Sequence, residues 1–217
     1  MSPIFKAHAL SFSLATSIVY MLRETISQIQ TEWLIVNFVL SFILSLTFYK
    51  ILFELFLFVC KKNSFIKSII LSRHYFEGLW VGYYIVDNEV EYYYEIFEQD
   101  LEELTIKGKC FDKYRLYLGE WSILHPNINT SDSKLTYYYE MNIISSDDIT
   151  LGYSRATVFY DKHQHANKLI GFAVDNYSSN KQQYISLKVK HPGDIEEWIE
   201  NNFFNEVENM YKKGGLI

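Results

Sequence analysis

Two apolar stretches in the first sixty residues constrain this chain more than any other feature. Residues 7–22 form the first, and residues 33–59 form a longer second one that is interrupted by Asn37, a few hydroxyl groups and the pair Lys50 and Glu54. As helices they would measure about 24 Å and about 40 Å, against a hydrocarbon core of about 30 Å. We therefore predict a hairpin of two transmembrane helices over residues 1–60. A cleaved secretory signal is the alternative for the first stretch, but no small-residue cleavage site follows it.

The charges around these stretches predict the orientation of the hairpin. Lys61, Lys62, Lys67 and Arg73 follow the second stretch. The positive-inside rule then places both termini in the cytoplasm, with a multi-pass segment in the membrane. Residues 61–73 become a short juxtamembrane linker, and residues 74–217 form a cytoplasmic domain.

The sequence after Arg73 alternates apolar and polar residues and is rich in β-branched and aromatic side chains, which is typical of strands. Clusters of Asp, Asn and Ser divide it into short segments. Eight strands are predicted, at 76–86, 89–97, 103–111, 114–124, 135–144, 151–161, 168–174 and 183–190. Eight short strands favour an all-β, eight-stranded antiparallel barrel, because closure removes exposed sheet edges. Asp194 is expected to cap a C-terminal helix that plugs or flanks the barrel and ends near Gly214.

Charge and motif content exclude several classes of function. The part after Arg73 holds 13 Lys and Arg against 23 Asp and Glu, which disfavours binding of DNA or RNA. Cys60 and Cys110 are isolated thiols without zinc-site spacing, and no cofactor motif or catalytic motif occurs, so we do not expect an enzyme. Asp161, His163 and His165 could hold a metal, but a solvated hairpin loop is the simpler interpretation.

Tyrosine is in marked surplus in the strand region, which holds 16 of the 18 tyrosines of the chain. Adjacent strand residues point to opposite faces, so the runs at 92–94 and 137–139 each place at least one phenol inside a barrel. One interpretation is ordinary strand packing, since Tyr buries its ring and keeps its hydroxyl wet. The other is a cavity lined with flat rings that stack a nucleobase or a sugar.

Gly78, Trp80 and Gly82, in FEGLWVGYY, resemble the G-x-W opening of the lipocalin-type barrel. With the upstream helices and the later segments SRATVFYD and KLIGFAVD, the chain resembles the two-transmembrane, β-strand-rich effectors of bacterial CBASS antiphage systems. The resemblance implies a location in the bacterial inner membrane. It also implies that the barrel senses a cyclic oligonucleotide made by a partner nucleotidyltransferase. Binding would then drive homo-oligomerisation of the membrane helices, disruption of the membrane and abortive infection.

The lipocalin resemblance places Trp80 on the inner face, and strand alternation adds Gly78, Gly82 and Tyr84, with the glycines leaving room for a ligand. Further strand-parity choices place Arg115 with Trp121, and Arg155 with Thr157, on inner faces. We expect Arg155 to bind a phosphate. The predicted ligand-binding residues are therefore Trp80, Tyr84, Lys107, Arg115, Trp121, Tyr139 and Arg155.

Asn37, Ser41 and Ser45 recur every four residues along the second apolar stretch and form a small polar stripe. Such stripes allow helices to approach closely and to hydrogen-bond across the contact, so we predict an oligomer interface here. Packing within a single hairpin is the alternative. For the barrel, the alternatives are binding of a lipid or apolar metabolite and a small membrane enzyme without a known motif. An interior of polar rings favours a nucleotide, whereas an aliphatic interior favours a lipid.

Overall fold

The computed structural model describes residues 3–26, 34–101, 103–123, 126–144, 149–175, 181–190 and 192–214. The chain divides into two compact units, one of residues Met1–Leu71 with Asp100–Glu102 and the other of Ser72–Gln99 with Glu103–Ile217. Helices α1, α2 and α3 of the first unit are Pro3–Ile26, Leu34–Lys62 and Ser64–Leu71. The strands of the second unit are β1 Gly78–Val86, β2 Glu89–Gln99, β3 Leu104–Phe111, β4 Tyr117–Ile123, β5 Asn127–Asn129, β6 Lys134–Ile143, β7 Ile149–Tyr160, β8 Ala166–Asp175 and β9 Gln182–Lys188, and helix α4 is Ile195–Lys213.

In the first unit, α1 packs along α2. His8 of α1 hydrogen-bonds the hydroxyl of Tyr49 through Nδ1 and stacks on the ring of Phe53 at 4.1 Å between centroids. Among the described residues, one helical segment, Phe42–Lys62, is long and apolar enough to cross a bilayer. The prediction of two transmembrane helices is therefore wrong. The physical reason is that α1 carries Lys6, His8 and several hydroxyl side chains, which lower its apolar character below that of a membrane span.

The second unit is the predicted barrel. All of its pairings are antiparallel, and each strand pairs with the next in the chain except around the short β5. Pairing of β1 with β9 and of β4 with β6 closes the sheet into eight strands, and β5 continues the line of β4 along β6. All eight predicted strands are present, and β5 lies where a loop was expected. These pairings give each of the eight long strands a partner on both sides, whereas β5 pairs with β6 alone among the described residues.

Helix α4 flanks the barrel, which resolves the alternative that the sequence left open. Its buried residues Phe203 and Val207 pack on Leu79, Val81 and Tyr83 of β1, which point away from the barrel interior. The predicted N-cap is confirmed. The Asp194 side chain accepts a hydrogen bond from the Glu197 amide at 3.0 Å, and the helix is capped by Gly214 at its other end. Strand β1 is thus buried on both faces.

One end of the barrel interior is filled by aromatic and aliphatic side chains. Phe76, which precedes β1, stacks near Trp80 and Phe97 at 6.1 Å from each, and all three are almost fully buried. The Trp80 indole N–H donates to the Phe76 carbonyl at 2.8 Å. This packing closes the end at which β1 begins, so the space inside the barrel lies towards the other end.

Candidate functional site

A cavity of about 60 Å³ lies inside the barrel on the side away from Trp80. Its lining comes from β1, β2, β4, β6, β7, β8 and β9, and it consists mainly of rings and polar groups. The lining residues are Tyr84, Tyr93, Glu95, Trp121, Tyr137, Tyr139, Met141, Ser154, Ala173, Gln182 and Tyr184. Such a volume holds a few water molecules. Entry of a larger ligand therefore requires movement of half-buried lining residues such as Tyr84, Met141 and Gln182.

Glu95 is the charged centre of this cavity. It is 1% exposed, and its Oε1 accepts hydrogen bonds from the Trp121 indole N–H at 3.2 Å and from the Tyr137 hydroxyl at 3.3 Å. Its Oε2 has no hydrogen-bond partner among the described residues. Burial raises the pKa of the Glu95 carboxyl to about 7, although the bonds from Trp121 and Tyr137 act in the opposite direction. The carboxyl therefore changes its charge near neutral pH.

Three glycines on the inner face make room for the rings that line the cavity. A Cβ atom on Gly82 would overlap the ring of Tyr93, and one on Gly108 would overlap the indole of Trp121. A Cβ atom on Gly152 would likewise overlap the ring of Tyr139. The expectation that Gly82 leaves room for a ligand is therefore corrected, because protein rings occupy that space.

The tyrosine hydroxyls of the cavity stay protonated at neutral pH. Burial holds the pKa values of Tyr93 and Tyr137 well above 10, and proximity to Glu95 raises them further. Burial likewise raises the pKa of Tyr184, whose hydroxyl shares a hydrogen bond of 2.9 Å with Ser154. These side chains therefore offer neutral hydroxyl groups and flat rings to anything that enters.

The lining contains no Lys or Arg within the part of the chain that the structure describes. Acidic groups act on two of the lining tyrosines. Asp175 accepts a hydrogen bond from the Gln182 amide at 3.1 Å and adds to the burial that raises the pKa of Tyr139. The pKa of Tyr84 is raised mainly by burial and further by the nearby Cys110 and Glu91. The cavity thus suits a neutral ring with hydrogen-bond donors better than an anionic group.

Four of the predicted ligand-binding residues lie inside the barrel. Tyr84, Trp121 and Tyr139 line the cavity. Trp80 also points inwards, as the G-x-W resemblance implies, but it belongs to the packed end beside Phe76. The inward placement of these four side chains is confirmed, and their binding of a ligand stays a prediction.

The three predicted cationic residues lie outside the cavity. Lys107 and Arg155 are exposed on the outer faces of β3 and β7, because their neighbours in the strand take the inner positions. Arg115 is in the turn between β3 and β4 with a φ of 69°, and it donates to Glu208 of α4 from Nε at 3.1 Å. The expected inward placement of all three is corrected. A shift of one residue in strand parity, or in the end of a strand, reverses the face.

Six polar or aromatic residues of the lining were not among the predicted ligand-binding residues, namely Glu95, Tyr93, Tyr137, Ser154, Gln182 and Tyr184. One signal for Glu95 was present, since it shares the strand parity of Tyr93 and Phe97, both of which point inwards. A carboxyl at an inward position of a strand is costly unless it is hydrogen-bonded. Such a residue is therefore a strong candidate for function.

Two other predictions concerned the polar stripe of α2 and the Asp161 loop. The side chains of Asn37 and Ser41 lie outside the described residues, and Ser45 is half-buried in α2. Asp161 and His165 belong to the loop between β7 and β8, where the Asp161 carboxylate accepts from the His165 amide at 2.9 Å. The hairpin-loop interpretation is confirmed, and no group of three metal-ligating side chains occurs among the described residues.

No protein-family model, curated protein or solved structure matches this chain.

Proposed function

We propose that this protein is a membrane-anchored effector of the CBASS type, with a barrel that binds a cyclic oligonucleotide. A nucleobase enters the cavity around Glu95, and binding promotes self-assembly of the membrane segments, disruption of the membrane and abortive infection. The observation that carries the proposal is the set of flat rings around one buried carboxyl with an unused oxygen. The protein acts in this scheme by binding, without catalysis.

The lining favours a base over a lipid. Six of the eleven lining residues are aromatic, three more are polar, and only Met141 and Ala173 are aliphatic. Base stacking on an aromatic side chain is worth about 1–3 kcal/mol per base. An acyl chain would instead leave Oε2 of Glu95 without a hydrogen-bond partner, which is unfavourable in a buried site. The lipid-binding barrel is therefore the weaker candidate.

The phosphates of the ligand bind at a different position from its base. Without Lys or Arg in the described lining, a phosphate inside the cavity would be repelled by Glu95 and would lack a counter-ion. The base therefore enters, while the phosphates stay at the solvent-exposed mouth. Lys61 and Lys62, in the last turn of α2, favour a cytoplasmic location for the barrel, the compartment in which such a messenger is made.

The test is calorimetric titration of the full chain in lipid nanodiscs with cyclic di-GMP, cyclic di-AMP and cyclic tri-AMP. We expect at least one to bind and Tyr139→Leu to weaken that binding by about tenfold to a hundredfold, because one stacking ring is lost. Tyr138→Leu is the matched control, since Tyr138 is the exposed neighbour on the outer face. Arg155→Ala should also leave binding unchanged.

Two results would overturn the proposal. One is the absence of binding to every cyclic oligonucleotide tested. The other is saturable binding of a fatty acid that Tyr139→Leu does not weaken, which would favour the lipid-binding barrel. Chemical crosslinking in membranes tests the assembly step, because larger oligomers should form only when a ligand that binds is present.

A further inference from the structure

We infer that Glu95 determines which base the cavity accepts, and that it selects a ring edge that presents N–H donors, as guanine does, over one that presents an acceptor, as adenine does. The inference rests on the proposed function, because it names the edge of the base that enters the same cavity.

The hydrogen bonds of Glu95 supply the first step. Oε1 is already bonded by two donors, the Trp121 indole N–H and the Tyr137 hydroxyl. Oε2 has no partner among the described residues, although the side chain is almost fully buried and lines the cavity. A buried oxygen without a partner is uncommon in folded proteins. The unused acceptor is therefore buried on a side chain that lines the cavity, and a ligand reaches it once half-buried lining residues such as Tyr84 move aside.

The chemistry of the neighbouring groups supplies the second step. An indole N–H is a donor only, so Trp121 requires an acceptor at Oε1 and favours the ionised carboxylate. A third donor at Oε2 would complete the hydrogen bonds of that carboxylate. Hydrogen bonds to a charged acceptor are roughly twice as strong as those between neutral groups. A ligand that donates to Oε2 is therefore bound more tightly than one that accepts from it.

The edges of the two purines supply the third step. The Watson–Crick edge of guanine carries a ring N–H beside an exocyclic amino group, and both can donate to the two lone pairs of one carboxylate oxygen. Adenine has an unprotonated ring nitrogen at the equivalent position, which would face the negative oxygen. Tyr93 and Trp121, with ring centroids 5.8 Å apart, stand beside Glu95 and offer the faces on which a base can stack.

The charges around Glu95 do not oppose this selection. The ionisable groups that face it are Tyr93 from β2, Tyr137 from β6 and Tyr184 from β9, and all three are neutral at physiological pH. Trp80 of β1, Gly108 of β3 and Ser154 of β7 are uncharged. Within the described lining, Glu95 thus carries the one formal charge.

The experiment compares cyclic di-GMP with cyclic di-AMP on the full chain in nanodiscs, before and after Glu95→Gln. We expect the parent to bind the guanine ligand about tenfold to a hundredfold more tightly. In Glu95→Gln the amide oxygen can keep the bonds from Trp121 and Tyr137, and the NH₂ group takes the place of Oε2 as a donor. The preference should therefore reverse towards the adenine ligand, which a purely structural role of Glu95 would not cause.

The outcomes separate the inference about Glu95 from the proposed function. Equal affinity of the parent for both ligands, or an unchanged preference in Glu95→Gln, overturns the inference and leaves the proposed function standing. If neither cyclic dinucleotide nor cyclic tri-AMP binds, the proposed function is overturned, and the affinities for guanosine and adenosine then decide the inference alone. If Glu95→Gln does not fold, the parent is titrated between pH 6 and pH 8. Affinity for the guanine compound should rise as the pH rises, because the Glu95 carboxyl loses its proton. An affinity that does not change with pH overturns the inference.

Discussion

Gly108 lies directly between Glu95 and Trp121, paired with Glu95 of β2 on one side and with Trp121 of β4 on the other. A Cβ atom on Gly108 would overlap the indole ring, so the missing side chain is what allows Trp121 to lie across β3 and donate to Glu95. The shape and the charge of the cavity therefore depend on the same glycine.

Gly108→Ala should displace the Trp121 ring and break its bond to Glu95. We expect the free energy of unfolding to fall by about 1–3 kcal/mol, as for other overpacked cores. Thermal unfolding of the full chain in detergent measures the change. Gly214→Ala is the control, because a Cβ atom there would lie at an ordinary 3.5 Å from the Met210 carbonyl oxygen. Equal stability of both variants and the parent would contradict the role given to Gly108.

The raised pKa of Glu95 predicts a pH dependence of stability. In the unfolded chain the carboxyl ionises near pH 4.5, and in the barrel, where burial dominates, near pH 7. Between these values the folded state holds a proton that the unfolded state has lost, so stability falls as pH rises, by up to about 3 kcal/mol in total, and becomes flat above pH 7. Unfolding midpoints across this range measure the slope. In Glu95→Gln, stability should depend less steeply on pH. An identical slope in the variant would contradict the raised pKa given to Glu95.

Docking of α4 depends on Phe203, which is 1% exposed and has its ring 5.3 Å from that of Tyr94 and 5.6 Å from that of Phe111. Phe203→Ala should cost about 3–5 kcal/mol of unfolding free energy, because it leaves a cavity between helix and sheet. Chemical denaturation checks the value. The exposed neighbour Asn202 provides the control variant Asn202→Ala, which should stay within about 0.5 kcal/mol of the parent. A similar loss in both variants would point to a general effect on the helix.

Membrane attachment through α2 can be tested at Leu55, an exposed residue within the segment Phe42–Lys62. An arginine near the centre of a spanning helix costs about 2.5–3.5 kcal/mol, so Leu55→Arg should shift the protein into the soluble fraction after alkaline extraction of membranes. Leu116→Arg, in the turn after β3, should fractionate like the parent. Retention of Leu55→Arg in the membrane would argue against this segment as the anchor.

Local sequence patterns determined the secondary structure of this protein and part of its site. The period-two alternation of apolar residues is a local property, and it located all eight strands of the barrel. Asp194 marked the start of α4 because N-capping needs only one side chain and the amides that follow. The inward positions of Trp80, Tyr84, Trp121 and Tyr139 also followed from the sequence, through the lipocalin resemblance and strand alternation.

Only the tertiary structure decided which face of each strand lines the cavity and what meets there. Alternation shows that two faces differ, but β1 is apolar on both, since Leu79 packs under α4 while Trp80 fills the barrel. On β7 the same ambiguity allowed Arg155 to be placed inside when it is exposed. Glu95, Trp121 and Tyr137 belong to three strands, up to 42 residues apart in the chain. Their meeting depends on the register and closure of the sheet, which are properties of long-range pairing that no local pattern encodes.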